Sequence, residues 1–177
     1  VEVLEHAGPA SGPHAVGVRT LQVTDTDRVD VLNTKEGGPT ARAARTLTLE
    51  VWYPAARTDG QSAGVEYRTT TRDPAVPAIL RGGATRNGPP LADGAPFPLI
   101  VISHGYPGNR YLMSHLAENL ASKGFVAVSI DHTDSTYEDQ QAFASTLYNP
   151  PLDQLFVLNE MAGHGGGGSG TFLSGHG

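Results

Sequence analysis

The chain contains no cysteine. That excludes a disulfide scaffold and thiolate chemistry, and it leaves the redox compartment open. It contains no run of Lys or Arg, and its net charge is −6. A nucleic-acid surface is therefore not expected. No apolar stretch approaches the ~20 residues that a membrane span needs. The first residue is Val1 rather than Met. That suits a removed leader or a boundary inside a longer chain, and the expected location is secreted or periplasmic rather than cytoplasmic.

What is present suits one domain with a core of its own, since 177 residues can bury one. The opening stretch 1–15 is rich in Gly and Pro and reads as an irregular lead-in. Residues 16–25 alternate as a strand. In 46–54 the residues Leu47, Leu49, Val51 and Tyr53 share one face, and Pro54 ends the run. The two form an expected antiparallel pair joined by a long polar loop. Residues 55–96 carry turn signals without a strong period and read as a surface excursion with at most one short helix.

The pattern then changes. Leu99–Ser103 is a continuous apolar run, as in a strand buried on both faces of a parallel sheet. A helix is predicted from Tyr111 to Lys123, with Leu112, Leu116 and Leu120 on one face and Met113 and Ala117 beside them. Asn109 or Arg110 precedes it, and Gly124 suits the C′ position. Residues 125–130 make a second buried strand, which completes a right-handed strand–helix–strand crossover. A further helix is predicted to be capped by Asn149. It would carry Pro150 and Pro151 in its first turn and Leu152, Leu155, Phe156 and Asn159 on one face. In the stretch 163–177, eight of fifteen residues are glycine, which suits a tail, linker or cleavage region rather than a packed element.

The chemistry concentrates at His104-Gly105-Tyr106-Pro107-Gly108. A strand ends at Ser103 and the chain must turn at once. Gly105 is expected to permit unusual dihedral angles and a close approach. Pro107 has no N–H, so the free donor of the turn is the backbone N–H of Tyr106. Such a donor can serve an oxyanion hole, or the turn can be a plain strand-to-helix connection. Ser103 and His104 are neighbours on a strand and point to opposite faces, so they do not form a nucleophile–base pair.

The segment FPLIVISHGYPGNRYLMSHLAENLASKGFVAVSIDHTD (97–134) resembles α/β-hydrolases related to platelet-activating-factor acetylhydrolase and dienelactone hydrolase. In that group a strand ending in S-H-G leads to a helix ending in L-A-S-x-G-F and a strand ending in D-H or E-H. The upstream LTLEVWYPA is similar to the group's second strand. The resemblance covers roughly 46–162. It implies an α/β fold in which an antiparallel strand pair leads into a parallel sheet, the N-terminal part of an α/β-hydrolase domain. It also implies that Tyr106 supplies an oxyanion N–H, with Gly105 and His104 shaping the loop.

One part of that family's equipment is absent. The group's nucleophile elbow, G-x-S-x-G on a turn from an apolar strand into a helix, is not found: Gly60–Gly64 has the spacing but lies in the turn-rich stretch straight after the polar Arg57-Thr58-Asp59, and Gly167–Thr171 fails at its last position. Nucleophile, acid and base are therefore expected beyond residue 177. The expected activity is serine-type carboxylic ester hydrolysis without a cofactor, with the C-terminal half as a second chain or a further segment. The alternative is a non-catalytic module stabilised by a partner chain. Asp131, His132, Asp134, Glu138 and Asp139 form an acidic cluster past a strand's C-terminal end. Of these, Asp131, Asp134 and Glu138 are weak candidates for a hard cation against the alternative of a solvated loop. Trp52 and Tyr53 read as core, with lining of the site as the alternative.

Overall fold

The computed structural model describes residues 2–5, 12–57, 64–73, 75–92, 96–140 and 143–165. Its main sheet is built from β2 (Ala15–Val29), β3 (Arg42–Ala55), β6 (Thr85–Arg86), β7 (Leu99–Ser103) and β8 (Val126–Asp131), in the order β6-β2-β3-β8-β7. β2 and β3 are antiparallel, as the alternating patterns predict, but each runs several residues further than its pattern alone suggests. β7 and β8 are parallel and are joined by α1 (Ser114–Ser122), the expected crossover. β8 lies antiparallel to β3, and β7 forms the edge.

The two faces of this sheet bury different sets. Leu47, Leu49, Val51 and Tyr53 do share one face, packed with Val128 and Ile130 and, from α2 (Phe143–Gly165), with Val157 and Met161. Trp52 points the other way, into a cluster with Val16, Val18, Tyr67 and the α1 residues Ala117 and Ala121. The period-2 alternation of β3 thus serves both layers. Trp52 and Tyr53 are fully buried core, not lining of an open site.

Four expectations are corrected. The lead-in contains a strand, β1 (Glu2–Glu5). The excursion 55–96 holds β4 (Val65–Thr70) and β5 (Pro77–Gly82), which form a second sheet with β1, and the short β6. Its turn residues hid strands of six residues or fewer, too short to show a period against Gly and Pro.

The third correction concerns α1. Leu112, Met113 and Leu116 are exposed, and the helix packs through Ser114, Ala117, Glu118, Ala121 and Ser122. Small residues let the helix lie close to the sheet, and Glu118 finds buried partners in the Tyr67 hydroxyl (2.5 Å) and the Gly83 N–H (2.9 Å). The end of α1 follows expectation. Gly124 has φ +92°, and the N–H groups of Gly124 and Phe125 return to the carbonyls of Ala121 and Leu120. That is a Schellman closure, which needs the left-handed conformation glycine adopts freely.

The fourth concerns α2. It starts six residues before Asn149 and carries Pro150 and Pro151 inside it. Its buried stripe is Ser145, Asn149, Asp153, Val157 and Met161 at four-residue spacing, while Leu155 is exposed. The prolines cost the carbonyls of Thr146 and Leu147 their helical donors, which tertiary packing outweighs. Residues 163–165 end this helix, and the remaining glycine-rich stretch lies outside the described residues.

Candidate active site

The site is assembled where β7 and β8 end, on the side where open α/β sheets bind ligands. In their parallel ladder Ser103 lies opposite Ile130, so Ser103 and His132 sit one diagonal step apart on the face that α2 covers. The Ser103 Oγ is 2.7 Å from His132 Nε2. His132 Nδ1 is 3.0 Å from Asp153 Oδ2. An ionised carboxylate only accepts, so Nδ1 carries the proton, and Nε2 accepts the Ser103 hydroxyl hydrogen. His132 and Asp153 are fully buried, whereas Ser103 is exposed.

Asp153 is held in place by two arginines. Arg45 donates from Nε to Oδ1 (2.8 Å) and from Nη2 to Oδ2 (2.9 Å), a two-point fork. Arg28 donates from Nη1 to Oδ1 (2.8 Å). Burial by itself would raise the Asp153 pKa, but the hydrogen bonds from His132 and Arg45 and the arginine charge hold it below the ordinary carboxylate value. Arg45 reaches on to Asp134 (3.2 Å), whose carboxylate also accepts from Ser145 (2.6 Å). Asn149 donates to Ser145 but leaves its own Oδ1 buried without a partner among the described residues. It lines a cavity of about 390 Å³ beside Arg45 and Asp134, roomy enough for water.

The turn after Ser103 is braced by His104. Its Nδ1 is 2.7 Å from the Gly105 carbonyl, and its Nε2 accepts the His132 N–H at 3.2 Å. Those two contacts fix the neutral ring with the proton on Nδ1. Burial lowers the His104 pKa despite the opposing Gly105 carbonyl and Asp131. The glycine that this turn requires is Gly108, where a Cβ would lie 2.6 Å from His104 Nδ1. Gly105 was expected to supply unusual dihedral angles. It has no positive φ, and a Cβ there would meet nothing within 4 Å, so its contribution is open space in front of the turn. Among the described residues the Tyr106 N–H has no acceptor. The Tyr106 ring packs edge-on against Phe143, and its hydroxyl donates to the Gln140 carbonyl (3.2 Å).

The acidic cluster disperses. Asp131 accepts from the Arg110 backbone N–H (2.6 Å) and from the Arg110 guanidinium. Asp134 is occupied as described. Glu138 accepts from Thr70 at 3.5 Å. Each carboxylate faces its own partner, and no group of three potential metal ligands converges among the described residues.

Reading the sequence alone missed the relay through His132 and Asp153. The alternation that separated Ser103 from His104 is the same rule that aligns Ser103 with His132. Asp153 was signalled by the four-residue spacing Ser145, Asn149, Asp153, Val157, Met161, which the two prolines obscured.

Comparison with known proteins fits this architecture. A family model described as platelet-activating factor acetylhydrolase, isoform II, matches residues 5–153. Platelet-activating factor acetylhydrolase of Canis lupus familiaris is 39% identical over 59 residues, covering 30% of this chain and 13% of that protein. The Cavia porcellus protein of the same name is 38% identical over 64 residues, covering 34% of this chain and 15% of that one. A ferulic acid esterase from Streptomyces cinnamoneus superposes with a TM-score of 0.62 at 24% identity, a likeness of fold. That match covers 88% of this chain and 48% of the esterase, so the chain spans about half the length of that esterase. The chain belongs to the platelet-activating factor acetylhydrolase isoform II family.

Proposed function

We propose that this chain contributes the oxyanion-binding turn of a serine-type carboxylic ester hydrolase. The Tyr106 N–H would receive the negative charge that develops on the ester carbonyl oxygen, and His104 would hold the turn in register. Nucleophile elbow, acid and base would lie in polypeptide beyond the 177 residues, in the same chain or a second one. The observation that carries the reading is the Tyr106 N–H, without an acceptor among the described residues at the C-terminal end of β7 and bordered by the open space at Gly105. The position of β7 supports it further, since an edge strand leaves one side for another strand to pair. Phe143, Leu147, Leu155 and Leu158 of α2 are exposed, as expected of a helix that a further layer covers.

The test compares residues 1–177 alone with the same residues joined to, or mixed with, the C-terminal half. Alone they should associate through β7 and leave short acyl nitrophenyl esters intact, whereas the completed protein should hydrolyse them. A monodisperse, cooperatively melting monomer of residues 1–177 would overturn the reading, as would a completed protein without ester turnover.

A further inference from the structure

Ser103, His132 and Asp153 form a hydroxyl–imidazole–carboxylate relay wholly inside this chain, separate from any nucleophile beyond residue 177. We propose that Ser103 is itself a nucleophile, able to take an acyl or phosphonyl group from an activated ester. The geometry has three parts. Ser103 Oγ is 2.7 Å from a ring nitrogen that the opposite nitrogen's proton leaves as an acceptor. The base is oriented by a carboxylate at 3.0 Å, itself pinned by the Arg45 fork. The hydroxyl end of the relay is exposed while its base and orienter are buried, so a reagent can reach the oxygen and bulk water does not compete for the imidazole.

In the reaction the Ser103 oxygen bonds the ester carbonyl carbon as its proton passes to His132 Nε2. The carbonyl re-forms, the alcohol leaves with that proton, and Ser103 is acylated. Water then attacks the acyl group, gives a proton to His132, and releases acid as Ser103 takes it back. Arg28 and Arg45 both draw on Asp153, so the carboxylate supports a positive His132 less well than an unshared one. Slow acylation is expected, seen as stoichiometric labelling rather than fast turnover.

The experiment treats the protein carrying this chain with a fluorophosphonate and maps the modified peptides by mass spectrometry. The P–F bond breaks, fluoride leaves, the Ser103 proton goes to His132, and phosphorus remains on Ser103 Oγ. The expected result is an adduct on the peptide containing Ser103, absent from Ser103→Ala and reduced at least ~100-fold in His132→Gln, the low end of general-base contributions. An adduct on a serine beyond residue 177 bears on the proposed function, so the two readings fail separately. Because 1–177 has no cysteine, Ser103→Cys introduces its single thiol, which covers the case in which His132→Gln fails to fold. Iodoacetamide should alkylate it at least ~10-fold faster at pH 7 in the native protein than in urea, since a neighbouring imidazole favours thiolate. No adduct on Ser103, or a native thiol no faster than the unfolded one, overturns the proposal.

Discussion

Among the described residues each face of the sheet buries one fully enclosed carboxylate, and the two are used differently. On the α1 face, Glu50 accepts from Thr20 (2.8 Å), from the Arg110 Nε (3.2 Å) and from Arg86. Arg110 goes on to Asp131, and its guanidinium lies 4.4 Å from the centre of the Tyr111 ring. The remaining branch ends on the hydroxyl of the exposed Thr20, which also accepts from Arg86 (3.3 Å), and no imidazole stands between that hydroxyl and the carboxylate. On the α2 face, Asp153 also takes two arginines, but its third branch runs through His132 to the exposed hydroxyl of Ser103. Both obey the rule that a buried charge must be paired. What distinguishes a structural cluster from a candidate reactive one is the imidazole that stands between the carboxylate and the hydroxyl of an exposed residue.

The largest expected effects fall on the two carboxylates. Asp153→Ala leaves Arg28 and Arg45 buried without their shared acceptor and should cost roughly 3–5 kcal/mol in denaturant unfolding, and Glu50→Ala should cost a similar amount. The comparison breaks if Glu50→Ala, rather than Asp153→Ala, is the change that silences Ser103 toward fluorophosphonate. Next comes Gly108→Ala, whose methyl would press on the His104 ring and should cost about 1–3 kcal/mol. The same melt on Gly105→Ala should stay within ~0.5 kcal/mol, as expected where a side chain meets nothing.

A smaller effect follows from pH. His104 titrates below its ordinary value of 6.5 because burial disfavours its charge. The unfolded chain then binds the extra proton first as pH falls. The contribution is therefore fully present above pH 6.5 and lost as pH drops through the folded pKa. Unfolding midpoints measured from pH 7.5 to 5.0 should fall, and His104→Gln should flatten that part of the slope. Smallest is Tyr106→Phe, which removes one exposed hydrogen bond to Gln140 and should change stability by less than ~1 kcal/mol with ester turnover largely kept.

How much was legible in the sequence depended on whether one element alone carried the signal. The β2–β3 pair, the β7–α1–β8 crossover and the Gly124 stop could be read because alternation, apolar runs and a C′ glycine are local. The strands in 65–86 were hidden by brevity, and α1's contact face was misjudged because its leucines formed a stripe while its alanines made the contact. The relay was invisible for a different reason. Ser103, His132 and Asp153 come from three elements, and only the strand register and the position of α2 bring them together. The 104–108 turn stood out as chemistry, yet the close approach expected of Gly105 falls on Gly108. Gly108 makes the close approach, and Gly105 leaves the space.

That space permits the most direct measurement of the central claim, that the 104–108 turn receives the ester oxygen. Gly105→Val in the completed enzyme adds atoms where none lie within 4 Å of the position of a Cβ, so folding should be untouched while the room beside the Tyr106 N–H is filled. The account predicts a melting temperature close to that of the parent and a kcat/KM for short acyl esters lower by about 10²–10³, the loss typical of a missing oxyanion donor. A Gly105→Val enzyme that melts normally and hydrolyses those esters at the parent rate would contradict it.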